Sequence, residues 1–275
     1  MARSLRGKVV VVTGGSSGIG RAAALAFARE GCHLVVAARR PEPLRGAREA
    51  IEALGARALA VPTDVADRAQ VQRLLDAALE HFGRVDVWVN NAGYGMAASV
   101  EQTTPDDMRR IWETNYMGAF HGCQVALRQM RRQGSGHLVN VSSMAGRFAL
   151  PLNSAYAATK AAMNALGESL RAELEGTGLH ITTVMPGFTR TPFFQAMERR
   201  VPDVEGLWFP AAAPEDVARR IVRAARRPVP VVMLVPASRL TLAVIDLLPG
   251  IWRFVARRYL CARTAGRGLP EPPQG

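Results

Sequence analysis

The stretch that most limits how this chain can fold is Val9-Val10-Val11-Val12, which runs straight into Thr13-Gly14-Gly15-Ser16-Ser17-Gly18-Ile19-Gly20. Consecutive β-branched residues have stiff χ1 angles and favour extended backbone. A short run apolar on both faces predicts a strand buried on both sides, as in a parallel sheet. The glycines that follow permit a tight turn and a close approach of backbone to a ligand. Arg21 to Glu30 then reads as a helix. Strand, glycine turn and helix are the context of a dinucleotide fingerprint, in which free N–H groups at the helix start hold a pyrophosphate. Gly18-x-Gly20-x-x-Ala23 satisfies the GxGxxG/A pattern inside that turn.

The alternation continues. His33–Ala38, Arg57–Val61, Asp86–Val89, Leu138–Val141, His180–Val184 and Pro230–Val235 read as strands. Helices are expected over Gln70–Phe82, from about Pro105 to Arg132, and around Tyr156. Repeated βα units predict an α/β fold: a Rossmann-type, doubly wound parallel sheet with helices on both faces. The 275 residues, 48% hydrophobic, suit one large domain. That domain is expected over residues 1–238, followed by an amphipathic helical extension over 239–265 and a disordered Pro/Gly-rich tail over 266–275.

Arg39-Arg40 stands where the second strand ends. An acid near this place would bind a ribose 2′-hydroxyl, whereas arginine accommodates a 2′-phosphate. With no acid present, NADP(H) is favoured over NAD(H). Further on, Tyr156 and Lys160 are four apart on a helix and share one face. There an ammonium can favour ionisation of the phenol, making it an acid/base usable near neutral pH. The chain's 35 Lys+Arg include only two lysines, Lys8 and Lys160. A lysine kept at this place suits a need for a compact, tunable ammonium. Ser143 follows the Leu138–Val141 run, so its hydroxyl is expected at the carboxyl edge of the sheet, where ligands of open α/β sheets collect.

The net charge of +12 does not imply a nucleic-acid partner, because the arginines are scattered singly and in pairs and no RRM, zinc-finger or aromatic-interleaved basic motif accompanies them. Cys32, Cys123 and Cys261 are widely spaced without CxxC, which argues for a reducing cytoplasm and against disulfides or a metal site. The first apolar run is too short for a signal peptide, and no stretch of about 18 apolar residues predicts a spanning helix. Residues 239–265 mix Leu, Ile, Trp and Phe with arginine. Such a segment packs on its own domain or a neighbouring subunit, or makes peripheral contact with a membrane surface.

TGxxxGxG at Thr13–Gly20, NNAG at Asn90–Gly93, Asn115 in the long helix, Ser143 thirteen residues before Tyr156 of YxxxK, and PGxxxT at Pro186–Thr191 occur in one order. With them the chain resembles the short-chain dehydrogenase/reductase family over roughly residues 5 to 235. The resemblance implies a proton-transferring Tyr156, a substrate-bonding Ser143, a Lys160 that lowers the Tyr156 pKa and holds the ribose, and an Asn115 that positions a water. It implies that Gly14, Ser17, Gly18, Ile19 and Gly20 wrap the phosphates, with Arg39 and Arg40 on the 2′-phosphate. Asp64 and Val65 would meet the adenine, Asn91, Ala92 and Gly93 the adenosine ribose, and Pro186, Gly187, Thr189 and Thr191 the nicotinamide end. It also implies a homodimer or homotetramer packed through the Asn115 and Tyr156 helices.

The resemblance also implies that the segment between Phe188 and Phe209 closes over the substrate as a lid; it holds Phe188, Phe193, Phe194, Met197, Trp208 and Phe209, with Met96, Met144, Phe148 and Leu150 available from other strand ends. That lining suits a hydrophobic ketone or secondary alcohol, lipid-, steroid- or acyl-like. The alternative is a non-catalytic NADP-binding regulator or scaffold, which could dispense with Tyr156 or Lys160; both are present.

Overall fold

The computed structural model describes residues 3–201 and 211–234, with residues 250, 254 and 256–258. Trp208 and Phe209, the tail, and most of the 239–265 extension lie outside the described residues. The strands are β1 (Val9–Thr13), β2 (His33–Ala38), β3 (Ala58–Pro62), β4 (Val87–Asn90), β5 (Met96–Ala97), β6 (Gly136–Val141), β7 (Leu179–Pro186), β8 (Glu198–Arg199) and β9 (Val231–Leu234). The helices are α1 (Gly18–Arg29), α2 (Pro41–Glu52), α3 (Arg68–Phe82), α4 (Pro105–Trp112), α5 (Gly118–Gln133), α6 (Ser154–Glu173) and α7 (Pro214–Arg226).

Seven strands form one parallel sheet in the order β3-β2-β1-β4-β6-β7-β9. The order reverses between β1 and β4, and the crevice outside the carboxyl ends at such a switch point is where doubly wound sheets bind ligands. Side chains alternate across a strand, so β1 feeds two cores. Val10 and Val12 pack with Phe27, Leu44 and Ile221 on one face. Val9 and Val11 pack with Leu74, Trp88, Met130 and Leu138 on the other. The buried valine run is thus the middle layer of a helix–sheet–helix sandwich.

Three features depart from the sequence reading. The expected helix over Pro105–Arg132 is two helices, joined by a π-helical turn over Glu113–Met117 that carries Asn115. Such a turn re-aims one side chain, and functional sites are where it is often found. The helices α2 and α7 are additional to the expected ones, and each opens with proline in its first turn and acid beside it. A small parallel pair, β5 with β8, joins Met96–Ala97 to the lid segment. Among the described residues no helix is long and apolar enough to cross a membrane, and Cys32 and Cys123 are buried free thiols.

Candidate active site

At the carboxyl edge of β1, the Thr13 hydroxyl accepts from the backbone N–H of Asn91 at 3.0 Å and of Ala92 at 3.2 Å, while donating to the Val89 carbonyl at 3.3 Å. The Asn91 amide donates to the carbonyls of Thr13 at 3.0 Å and Gly14 at 3.2 Å. The glycine turn and the loop after β4 are therefore tied into one floor. Glycine is required twice here. Gly14 has φ of 64° and a Cβ there would lie 2.8 Å from Asn91 Nδ2, while a Cβ on Gly20 would lie 2.2 Å from the Gly14 carbonyl oxygen. Ser17, at the N-cap of α1, makes no side-chain cap bond. A glycine-rich turn leading into a helix start without a side-chain cap fits a pyrophosphate.

At the end of β6 the Ser142 hydroxyl donates to the Lys160 carbonyl at 3.0 Å, and Lys160 Nζ donates to the Val141 carbonyl at 3.0 Å. Ser143 caps a 3₁₀ turn over Met144–Gly146 by accepting from Ala145 N–H at 3.1 Å. That turn rests on α6, since a Cβ on Gly146 would stand 2.5 Å from the Lys160 carbonyl carbon. Ser143, Tyr156 and Lys160 meet there, with Lys160 Nζ 5.7 Å from the Tyr156 ring centroid.

Burial acts against both charges. It pushes the Tyr156 phenol from 10.0 up to about 12, with a hydrogen bond to Ser143 pulling back, and pushes Lys160 from 10.5 down to about 8. In the polypeptide by itself, desolvation outweighs the lowering of the Tyr156 pKa that Lys160 was expected to cause.

One cavity of about 1720 Å³ runs along this edge. Gly14, Ser17, Gly18, Ile19, Arg39, Arg40, Asp64, Val65, Asn91, Ala92, Gly93, Ser143, Tyr156, Lys160, Pro186, Gly187, Thr189 and Thr191 all line it. Two expected residues stand behind the wall instead. Gly20 acts through the close fit of α1 on the turn. Asn115 is fully buried, with Oδ1 accepting from Tyr94 N–H at 2.9 Å and Nδ2 donating to the Tyr94 carbonyl at 2.9 Å and Thr159 Oγ1 at 3.3 Å. It staples the β4 loop to α6. Among the described residues no group of His, Cys, Asp and Glu could hold a metal.

The other end of the cavity is apolar: Tyr94, Met144, Phe148, Leu150, Phe193, Phe194 and Met197. The Phe193 ring centroid lies 5.6 Å from that of Tyr156. Met96, expected in this lining, is buried behind it with Ile111 and Tyr156. Sequence reading missed Thr13, although that residue opens the TGxxxGxG motif. It also missed Arg109 and Arg110 of α4, Asp216, Arg219 and Arg220 of α7, and Met233 of β9. Topology alone brings these to the wall, and no local motif marks them.

A switch-point cavity with a glycine cradle at one end and a half-buried serine beside a buried tyrosine and lysine at the other defines a nucleotide-linked α/β enzyme. The short chain dehydrogenase model matches residues 8–201, and the chain belongs to that family of oxidoreductases. It is 39% identical over 233 residues to Glycine betaine reductase ATRR of Emericella nidulans, covering 83% of this chain and spanning 18% of that protein's length. Identity to the Dehydrogenase/reductase SDR family protein 7-like of Anopheles gambiae is 33% over 267 residues, covering 94% of this chain and 84% of the relative. A short chain dehydrogenase/reductase from Burkholderia phymatum, solved in complex with NAD, superposes with a TM-score of 0.80 at 30% identity, over 90% of this chain and 96% of that one.

Proposed function

We propose that this protein is an NADP(H)-dependent oxidoreductase that interconverts a ketone and a secondary alcohol on a hydrophobic substrate. The observation that carries the reading is one continuous cavity, with Ser143, Tyr156 and Lys160 beside an apolar end and Arg39 and Arg40 at the other end. When bound, the nicotinamide supplies the hydride chemistry. Gly14, Ser17, Gly18 and Ile19 hold its phosphates, Asp64, Val65 and Asn91 to Gly93 its adenosine, and Pro186, Gly187, Thr189 and Thr191 its amide end. Tyr156 gives its phenolic proton to the substrate oxygen in reduction and takes it back in oxidation. Ser143 fixes that oxygen by hydrogen bonding. Lys160, held by Val141, presents its ammonium to the tyrosine and to the ribose hydroxyls.

The choice of NADP(H) rests on Arg39 and Arg40. Both are exposed at the end of β2, where an acid would select the unphosphorylated ribose. The apolar lining supports a lipid-, steroid- or acyl-like substrate. Assembly into a homodimer or homotetramer through α5 and α6 is part of the same reading. On α6, Asn164 Oδ1 and Arg171 Nε and Nη2 are buried without a hydrogen-bond partner, and Ala158, Ala161 and Ala165 are exposed. Peripheral membrane contact by residues 239–265 is proposed on its described residues, where exposed Phe254 lies 5.8 Å from the Arg258 guanidinium.

The test is the ratio of kcat/KM for NADPH to that for NADH with an apolar ketone. The ratio is expected above one in the wild type. It should fall about tenfold or more in Arg39→Asp, where a phosphate contact of about 1.5–3 kcal/mol becomes repulsive. A wild type that prefers NADH overturns the cofactor assignment.

A further inference from the structure

The described part of the lid, residues 188–201, is held at its downstream end by a buried carboxylate that neither the reaction nor the cofactor uses. Asp107, in the first turn of α4, is 1% exposed. Its Oδ2 accepts from Thr104 N–H at 2.9 Å and from the Thr104 hydroxyl at 2.8 Å, closing a capping box. Its Oδ1 accepts from Arg110 Nη2 at 2.7 Å. The second cation on it comes from far along the chain: Arg200, one residue beyond β8, is paired to Oδ2 and also donates to the Gln102 carbonyl. Arg110 in turn reaches Glu198 of β8 at 3.4 Å and hydrogen-bonds the hydroxyl of Tyr94, a cavity wall residue.

Backbone and apolar contacts complete the attachment. Glu198 N–H donates to the Gly95 carbonyl at 3.1 Å, and Arg200 N–H to the Ala97 carbonyl at 2.9 Å. Val201 is buried with Ala97 and Leu152. On the upstream side, Phe193 and Met197 close onto Gly95, where a Cβ would lie 2.8 Å from Phe193 Cζ and 2.7 Å from Met197 Cε. The same β5 strand touches the catalytic helix through Met96, packed with Ala155 and Tyr156, and the residue after it is tied to the loop before that helix. Ala98 N–H donates at 2.9 Å to the carbonyl of Leu152, a left-handed residue with φ of 65° four positions before Tyr156. A two-residue strand pair cannot hold a lid by itself, so the charged cluster supplies what the ladder lacks.

We propose that Asp107 is a positioning residue: by gripping Arg200, and Glu198 through Arg110, it latches the lid shut and sets Phe193 against Tyr156 at the substrate end. Asp107 touches no reacting atom. Its effect reaches the chemistry through β5 and the Phe193 ring, and its use in turnover rests on the oxidoreductase reading above. Without the charge of this buried carboxylate, Arg200 loses its anion and Arg110 keeps only Glu198, so both grips on the lid weaken together.

The experiment compares Asp107→Asn, Arg200→Gln and the double variant. Asparagine keeps the shape and one acceptor for the capping box. Hydrogen exchange of the ligand-free protein reads the latch without any substrate. The Glu198 and Arg200 amides should exchange about tenfold faster or more in each single variant, while β1 and β4 amides are unchanged. With NADPH and an apolar ketone, KM should rise about tenfold with kcat altered less than about threefold. The double variant should be no worse than the worse single one, because one interaction is being removed twice. Additive losses, or exchange that accelerates across the whole sheet, would show a general structural role and overturn the latch. Unchanged exchange at Glu198 and Arg200 overturns it as well, whatever the activity. Should Asp107→Asn fail to fold, Arg200→Gln carries both readouts. Inactive wild-type protein with faster exchange in Arg200→Gln would sink the functional reading and leave the latch standing.

Discussion

The phosphate turn and the lid line the same cavity and are held by different means. Residues 13–20 are fixed by short-range backbone geometry, two left-handed glycines, and hydrogen bonds from Thr13 and Asn91 at the ends of adjacent strands. The lid, over its described residues 188–201, pairs through the two residues of β8 and a bridge from Thr189 to Ala212, and leans beyond that on ion pairs of Arg110 and Arg200 with Glu198 and Asp107. Close-packed backbone has no room to yield, whereas side-chain ends can rotate. The turn should therefore be intolerant of small changes, and the lid adjustable.

Two glycine substitutions test that contrast directly, and the larger effect belongs to the turn. Gly20→Ala sets a methyl 2.2 Å from a backbone oxygen and 2.4 Å from Asn91 Nδ2. Overpacking of this kind costs about 1–3 kcal/mol, and about 1.4 kcal/mol is tenfold in affinity. NADPH titration by fluorescence should show binding weakened about ten- to hundredfold. Gly95→Ala meets only the tips of Phe193 and Met197, so NADPH affinity should be unchanged and KM for an apolar ketone should shift about threefold. Equal effects at the two glycines would end the distinction between a rigid floor and an adjustable lid.

A smaller effect concerns pH and isolates the buried lysine on the floor side. Lys160 has a folded pKa near 8 against 10.5 in the open chain. Between those values the unfolded chain binds a proton that the folded protein has shed, so stability rises with pH. Cys32, Cys123 and Tyr156 are all raised to about 12, from 9.0 for the cysteines and 10.0 for the tyrosine. They have the opposite sign: from about pH 9 upward the folded protein keeps protons that the unfolded chain loses, and stability falls. Melting temperature should therefore climb modestly between about pH 8 and 9 and drop beyond. In Lys160→Met the climb should vanish and the drop remain. A climb that survives in Lys160→Met would assign it to another group.

The same contrast explains what the sequence could reveal. The floor was legible because its parts are contiguous: four valines, a glycine turn, NNAG, and a tyrosine and lysine one helical turn apart. Even there, Asn115 was placed in a plain helix, because a π-turn is a matter of hydrogen-bond register that no residue pattern announces. The opposite pKa shifts of Tyr156 and Lys160 depend on burial, which spacing does not measure. The lid's anchorage was not legible at all. Arg110 and Glu198 are 88 residues apart, and Arg200 and Gln102 are 98 apart. In a chain this rich in arginine, no single guanidinium advertises its partner. Its aromatic residues were visible as a group, but which ones line the cavity followed only from topology, with Met96 turned into the core.

The central claim is that the phenol of Tyr156 is the proton partner of the substrate oxygen. Tyr156→Phe removes one hydroxyl and little volume, so NADPH affinity and the folded state should be retained. General acid/base catalysis is worth about 10²–10⁴-fold, or about 3–5 kcal/mol at roughly 1.4 kcal/mol per tenfold. The decisive measurement is kcat/KM of Tyr156→Phe with an apolar ketone, alongside NADPH titration of the same protein. The account predicts a loss of at least about a hundredfold in kcat/KM at unchanged NADPH affinity. Turnover near that of the wild type would mean that another group supplies the proton, and would contradict it.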